Sequence, residues 1–417
     1  MAVTKVQSTA IRDERQQQLI WLWLQRGIIY VLLTLCALLM LFPFLYMFMT
    51  SLKTADDVFH SPPRLFPYTP ETTAEGQTIY LIDIDGVEHR MIQDESADPA
   101  TFGFFTTQDN INAADPEQST GIIRVLLDEA TDTGQTITLG STDFAVYQVT
   151  VDGQTQELLL AYRRGLRRFV DISDPTISAY SAPRNTPLSE FVNPQWQNYQ
   201  SVLNLRNLNR ALVNTTLVTV MVTAGQVTTS LLGGYAFSRI RFRGRNALFM
   251  VYLGTIMIPF VVLIIPLYQL MVVLNWQNKL VALILPWIFT AYGTFLMRQF
   301  FITIPKDLEE AAFLDGTSRF GILWHIFIPL SGPAIATQTI ITFLYAWNSF
   351  LWPLIIINPG NLSSHVVTLA LNQLRNAAAS EPNLVLTGAA IAVLPPMIVF
   401  ILAQRYFIEG IASTGLK

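Results

Sequence analysis

Six long apolar segments constrain this chain more than any other feature of its sequence. They lie near 28–51, 212–237, 247–272, 279–301, 325–357 and 385–405. A helix needs roughly 20 residues to cross the hydrocarbon core of a bilayer, and each segment reaches that length. The composition agrees, because 51% of the residues are apolar and 13% are charged. We therefore predict a mainly α membrane protein with six transmembrane helices, of which helices 2–6 form a core at 211–405.

Basic residues in the link between the second and third segments set the predicted orientation. The link contains Arg239, Arg241, Arg243 and Arg245, and short loops rich in arginine and lysine stay in the cytoplasm. Counting from this link, the cytoplasmic parts are the segment 1–27, the loop 303–325 and the tail 406–417. The external parts are 52–210, the short link 275–278 and the stretch 358–384. The apolar run 28–51 is too long for a signal-peptide core, so we interpret it as a retained membrane anchor.

The external part carries strand patterns in place of helix periodicity. Apolar and polar residues alternate in 78–92 around Asp85-Gly86 and in 144–162 around Asp152-Gly153. Both dipeptides are typical of tight hairpin turns. We predict a small mainly β domain, inserted between helices 1 and 2 at about 68–186. Four arginines within it form either a docking patch or a solvated face: Arg163, Arg164, Arg167 and Arg168.

The loop between the fourth and fifth segments has the sequence of a short helix at the membrane surface. Pro305 suits its first position, because an N–H there would be unpaired anyway. Asp315-Gly316 ends it, since glycine takes the left-handed capping conformation at little cost. Ala311 and Ala312 would let another backbone or groove approach closely. The residues alone leave two interpretations open, an ordinary interfacial hairpin and a docking element.

The stretch 310–333, EAAFLDGTSRFGILWHIFIPLSGP, resembles the EAA loop of permease subunits in ABC-type importers. The likeness rests on residues at that family's spacing: Glu310-Ala311-Ala312, Asp315-Gly316, Ile326 and Pro329. Ile328 stands where leucine is usual. The resemblance implies that a helix at 306–315 sits in a groove of an ATPase subunit and transmits its motion to the spans. In that interpretation Glu310 makes polar or ionic contact with the ATPase, Ala311 and Ala312 pack closely, and Asp315-Gly316 sets the turn. Pro329 is the last residue of this predicted coupling set.

Other stretches are similar to the carbohydrate branch of these importers, specifically to the maltose-type permease that pairs with a second, different permease. They are 234–249, 258–271, 346–356 and 394–417. The resemblance implies a type I ABC importer permease fold in a bacterial or archaeal inner membrane. It also implies several partners: the second permease, two ATPase subunits and an external solute-binding protein. The inserted β domain departs from the family pattern.

We expect this chain to hydrolyse no ATP itself, because its sequence has no GxxxxGK[ST] phosphate loop. ATP and Mg would be bound by the partner ATPase subunits, and this chain would bind no cofactor. We predict neither a catalytic residue nor a metal site. Its four histidines lack metal-ligand spacing, and Cys36 is the single cysteine.

A sugar path needs aromatic and hydrogen-bonding groups inside the spans. The candidates are Tyr345, Trp347, Asn348, Gln338, Thr342 and Asn214. The alternative for the same residues is helix packing and interhelical hydrogen bonding. Two other functions stay open: a permease for another solute such as glycerol phosphate, and a membrane-anchored ligand sensor. A permease for an anionic solute would be expected to carry arginine or lysine within its spans. Arg298 lies only at the cytoplasmic end of a predicted span.

Overall fold

The computed structural model describes residues 2–151 and 153–412, with the backbone alone for 2–20, 206 and 405–412. The chain divides into two compact units. One unit comprises Met1–Pro67 and Pro194–Lys417, and the other is Tyr68–Asn193. The first is helical and the second is built from strands.

Fifteen α-helices are present in the described part of the first unit. They are α1 Ala2–Ser51, α2 Ala55–Val58, α3 Gln197–Asn204, α4 Leu208–Arg239, α5 Arg245–Gly254, α6 Phe260–Val273, α7 Val281–Ile284, α8 Ala291–Thr303, α9 Lys306–Leu314, α10 Arg319–Ile322, α11 Ile328–Leu330, α12 Gly332–Trp347, α13 Leu351–Ile356, α14 Val367–Ala377 and α15 Pro382–Ala412. A wide π-type turn, Leu323–Phe327, joins α10 to α11.

These helices provide up to six membrane spans, which confirms the predicted fold class. Four spans are single apolar stretches: Trp21–Ser51, Leu208–Arg239, Gly332–Ile356 and Pro382–Gln404. The other two are bent pairs, Arg245–Met257 with Phe260–Val273 and Val281–Trp287 with Ala291–Thr303. We number the spans 1 to 6 in chain order.

The sequence predicted spans 3 and 4 as continuous segments, 247–272 and 279–301, but both are broken. Span 3 bends by 97°, and Ile258 before Pro259 is extended there, with ψ 113°. Proline disfavours the helical conformation of the residue before it, which explains the break. Span 4 bends by 41° before Thr290, whose side chain then caps α8. Span 5 begins at Gly332, later than the predicted residue 325.

Glycines allow α4 and α8 to lie in close contact. A Cβ on Gly234 would lie 2.6 Å from the Cβ of Met297 and 3.0 Å from the amide nitrogen of Arg298. A Cβ on Gly233 would lie 2.9 Å from the Cγ2 of Thr294. Small residues at such contacts let membrane helices pack backbone against backbone.

Span 1 is exposed along its apolar window, but its C-terminal end is bonded to other helices. Asn198 donates to the carbonyls of Ser51 and Lys53, at 2.9 Å each. Asn383 and Thr387 of α15 donate to the same two carbonyls. These side chains satisfy carbonyls that a helix end leaves without intrahelical partners. Burial lowers the pKa of Lys53, which donates to the carbonyl of Arg64.

The second unit is an antiparallel β structure, Tyr68–Asn193. Its strands are β1 Tyr68–Pro70, β2 Ile79–Ile84, β3 Val87–Gln93, β4 Ala100–Thr106, β5 Ile123–Leu126, β6 Thr131–Leu139, β7 Thr142–Val151, β8 Gln154–Asp171, β9 Ser178–Ser181 and β10 Glu190–Val192. The long strand β8 pairs with β3, β4, β7 and β9, whereas β1 pairs with β10. The main cores contain Phe105, Val149 and Leu158, and Phe144, Val146 and Leu159.

The predicted turns and arginine cluster are found within this unit. Asp85 and Gly86 both have positive φ, as the tight turn between β2 and β3 requires. The second predicted turn lies between β7 and β8, but Asp152 is outside the described residues. Arg164 contacts Glu117 at 3.0 Å and Arg168 contacts Asp94 at 3.7 Å. Two of the four arginines are therefore paired within the unit.

Candidate coupling surface and transport path

The short helix α9 lies where the sequence predicts it, between spans 4 and 5. Pro305 is its N-cap, one residue before the position predicted for it, a difference within the usual uncertainty of helix ends. Gly316 has φ +79°, and the amide of Thr317 donates to the carbonyl of Ala312 at 3.0 Å. This is the glycine-dependent helix ending that the Asp315-Gly316 pair indicates.

The two alanines of α9 lie on different sides of the helix. Ala312 is buried in a cluster with Tyr235, Phe301 and Phe327, so it packs inside its own chain. Ala311 and Glu310 are exposed, and Leu314 is 90% exposed. A helix turns by about 100° per residue, which separates neighbouring positions in this way. The exposed side of α9 therefore contains Glu310, Ala311 and Leu314, while Ala312 faces inward.

Arg239, at the end of α4, contacts three other elements: the end of α8, the helix α9 and the π-type turn Leu323–Phe327. Its Nη2 donates to the carbonyl of Phe301 at 2.6 Å and to the carbonyl of Ile304. Its Nη1 lies 3.5 Å from Oε2 of Glu309, and its guanidinium lies 5.0 Å from the ring centre of Phe327. The side chain of Arg239 is 5% exposed and that of Glu309 is 14% exposed.

In the sequence, Arg239 is one of four positive charges that predict the orientation. Nothing in its spacing distinguishes it from Arg241, Arg243 and Arg245. A usable signal was its position, because Arg239 is the last residue of the second span whereas the others follow the helix. A helix C-terminus also favours a positive side chain.

An open cleft of about 830 Å³ lies beside α9. Its charged walls are formed by Arg239, Arg241, Arg245, Lys306, Glu309, Glu310 and Arg319. Basic side chains therefore outnumber acidic ones at this surface. Pro329, the last residue predicted for coupling, lies in α11 and is exposed.

Of the six predicted path residues, Gln338 and Thr342 belong to one buried hydrogen-bond network between spans 2, 4 and 5. Gln338 donates to Oγ of Ser230 at 2.6 Å and to the carbonyl of Gln226 at 3.1 Å. Thr342 donates to Oε1 of Gln226 at 2.9 Å, and Gln226 donates to the carbonyl of Trp287 at 2.7 Å. This network supports the break in span 4 at its Trp287 end.

Asn214 and Trp347 also bond within the chain. Asn214 donates to the carbonyls of Ser363 and His365, at 2.9 Å and 2.8 Å. Trp347 is 3% exposed and donates to the carbonyl of Ala392 at 3.1 Å. Four of the six residues thus have the interhelical contacts that the alternative interpretation describes.

Tyr345 and Asn348 differ from the other four because both are exposed, Tyr345 by 54%. Asn348 is the C-cap of α12 and follows Tyr345 by three residues, which places the two near one side of the helix end. Tyr345 also borders a small cavity of about 20 Å³ with Trp287 and Thr215. Such a cavity has room for a water molecule and none for a sugar ring.

Comparisons with known proteins show what this chain is similar to. Residues 227–413 match the family model described as "Binding-protein-dependent transport system inner membrane component". The arabinooligosaccharides transport system permease protein AraQ of Halalkalibacterium halodurans is 35% identical over 204 residues, which are 49% of this chain and 72% of that protein. The sn-glycerol-3-phosphate transport system permease protein UgpE of Pectobacterium atrosepticum is 35% identical over 203 residues, again 49% of this chain and 72% of the relative.

A solved structure of a bacterial ABC transporter involved in the import of the acidic polysaccharide alginate contains a similar chain. The two are 25% identical, and the match covers 52% of this chain and 81% of that one with a TM-score of 0.45. The assignment rests on the sequence matches and not on this structural one.

Proposed function

This chain belongs to the family of binding-protein-dependent transport system inner membrane components, and from that premise we propose that it admits a neutral sugar, most simply an oligosaccharide. It is a multi-pass membrane permease of an ABC importer. In the proposal, ATP hydrolysis by two partner ATPase subunits drives alternating access of a pathway shared with a second permease. A solute-binding protein delivers the sugar from outside.

The observation that carries the proposal is the arrangement of α9. Its outer side exposes Glu310, Ala311 and Leu314, whereas its inner side contacts the ends of three spans through Arg239 and Ala312. A rigid helix held in this way can receive a force on one side and pass it to the spans from the other. The subunits of this family are not themselves catalytic, so ATP and Mg belong to the partner in this proposal.

The choice of a sugar rests on the uncharged character of the buried polar groups in the spans. Gln226, Gln338 and Thr342 bond to one another, so they leave the junction of spans 2, 4 and 5 uncharged without themselves serving as solute contacts. Arg298 in span 4 is turned into its own chain, because it donates to the carbonyl of Phe237 and lies 4.3 Å from the ring centre of Phe249. A phosphate ester would be recognised best by an available cation.

Glycerol phosphate is the second candidate solute. The UgpE relative is named for sn-glycerol-3-phosphate and is as similar in sequence to this chain as AraQ is, with 35% identity in both cases. The two candidates differ in charge, and a transport assay separates them.

The proposed orientation places α9 and both chain ends in the cytoplasm of a bacterial or archaeal cell. The four arginines that follow or end α4 favour it. The β unit, Tyr68–Asn193, is then external, where it contacts the solute-binding protein or supports the second permease.

Reconstitution tests the function directly. The chain, its second permease, the ATPase and the binding protein are placed in proteoliposomes, and ATP hydrolysis and uptake are followed with a panel of neutral oligosaccharides and with glycerol phosphate. We expect hydrolysis and uptake to rise together with a neutral sugar. Stimulation by glycerol phosphate alone would transfer the assignment to the second candidate, and failure of any ATPase to co-purify would refute the permease assignment itself.

A further inference from the structure

We propose that Arg239 is a positioning residue that fixes α9 to the cytoplasmic ends of spans 2, 4 and 5, so that a displacement of α9 moves these spans together. The proposal rests on the proposed function, and it deepens it by naming the residue through which force passes from α9 to the spans. Its support is a set of contacts that converge on one side chain.

The three spans meet at the guanidinium of Arg239. Its backbone ends span 2, and two of its hydrogen bonds go to Phe301 and Ile304 at the end of span 4. Its planar face lies over Phe327, which precedes span 5 by one short helix. The remaining contact, 3.5 Å to Glu309, goes to α9.

The ion pair between Arg239 and Glu309 is the directional contact that attaches α9 to the spans. Among the described residues, it is the single polar side-chain contact between α9 and the spans. The other attachment is apolar, through Ala312 in the cluster with Phe301 and Phe327. Apolar contacts are non-directional and permit sliding, whereas hydrogen bonds and ion pairs fix orientation.

Arginine suits this role for a geometric reason. Its guanidinium offers five N–H donors in a fixed plane, so it can bond two carbonyls and a carboxylate while its face covers an aromatic ring. A lysine would keep the charge but concentrate it at one point on a flexible stem. Arg239→Lys therefore separates geometry from charge.

Burial makes this set of contacts specific and costly to disturb. The side chains of Arg239 and Glu309 border the open cleft but are only 5% and 14% exposed, so most of their surface contacts protein and not water. The exposed residues of α9, such as Glu310 and Leu314, do not take part. Loss of the contacts should therefore loosen the transmission from α9 and leave its outer side intact.

The test uses the reconstituted complex and measures the number of sugar molecules imported per ATP hydrolysed. We expect this ratio to fall by about tenfold in Arg239→Lys, the change in an equilibrium that corresponds to losing one charge-assisted contact. Glu309→Gln keeps shape and removes charge, and its ratio should fall in the same direction by a smaller factor. The double variant should be no worse than Arg239→Lys, because both changes break the same link.

Arg243→Lys is the matched control, since Arg243 is exposed in the same link and should keep the wild-type ratio. Equal import per ATP in wild type, Arg239→Lys and Glu309→Gln would overturn the proposal. A purely structural role would lower complex yield and leave the ratio of the surviving complex unchanged, which also overturns it. If the wild-type complex imports no solute, the proposed function fails first, and the two failures are thereby distinguished.

Discussion

Replacing Gly234 by alanine should force α4 and α8 apart. The new Cβ would lie 2.6 Å from the Cβ of Met297, 3.0 Å from the amide nitrogen of Arg298 and 3.1 Å from the carbonyl carbon of Met297. Carbon atoms attract best at about 3.5–4.0 Å, so the helices must separate by roughly 1 Å. Two of the three contacts are backbone atoms, which cannot rotate away as a side chain does.

The cost follows from this geometry. Overpacking a filled site costs about 1–3 kcal/mol, and the gain of about 1 kcal/mol from alanine over glycine in a helix offsets part of it. Gly254→Ala is the matched control, because Gly254 is helical and has nothing within 4 Å of its Cβ position. Gly254 ends α5, so alanine gains no more there than at Gly234, and the difference between the two variants is a lower limit on the cost of the clash.

Thermal unfolding of the purified chain in detergent measures that difference. A change of 1 kcal/mol shifts Tm by about 2–4 °C in domains of about 150–250 residues, a range that includes the helical part 194–417. We therefore expect Gly234→Ala to melt about 2–12 °C below Gly254→Ala. If the two variants melt together, the close approach of α4 and α8 at Gly234 is refuted.

Three further predictions concern separate parts of the chain. Gly316→Ala meets no atom within 4 Å but must adopt φ +79°, so it should lose about 1–2 kcal/mol in a melting assay, and Gly316→Asn should lose less. Gln226→Leu removes the bonds to Trp287 and Thr342 and should cost about 1 kcal/mol, since such bonds average about 0.6 kcal/mol each; a wild-type melting temperature would contradict this. In the excised fragment 68–193, hydrogen bonds from His89 and two backbone amides lower the pKa of Asp171. The ionised Asp171 carboxylate therefore contributes its full stabilisation above the ordinary carboxyl pKa of about 4. This stabilisation is lost as the pH falls through the lower pKa of the folded state. Asp171→Asn should remove this part of the acid dependence of the urea midpoint, and an unaltered dependence would count against the prediction.

The apolar segments could be predicted because bilayer thickness limits a span to a narrow range of lengths. Their breaks could not be predicted as reliably. Pro259 gives a local signal for the bend in span 3, but Pro266 lies inside the continuous helix α6. Neighbouring helices can support the backbone groups that a proline frees, so tertiary contacts decide which proline breaks a span.

Helix α9 could be predicted from the sequence, including its glycine ending, because capping chemistry is local. The roles of its side chains were not. The sequence does not distinguish Ala311 from Ala312, whereas the structure shows that Ala312 is buried. Gln338 and Asn214 likewise read as solute contacts, and their partners, Ser230 and His365, are too distant in sequence to be inferred.

The pairing of β1 with β10 has a consequence for how such a chain can be altered. Tyr68 lies opposite Val192, so the inserted unit begins and ends on adjacent strands. The two ends of the insert therefore lie close together, whatever the length of chain between them, and lengthening such a closed loop costs little conformational entropy. A lineage could acquire, exchange or discard such a module without repacking its helices. In the laboratory, the β1–β10 pair is a suitable place to insert a fluorescent reporter.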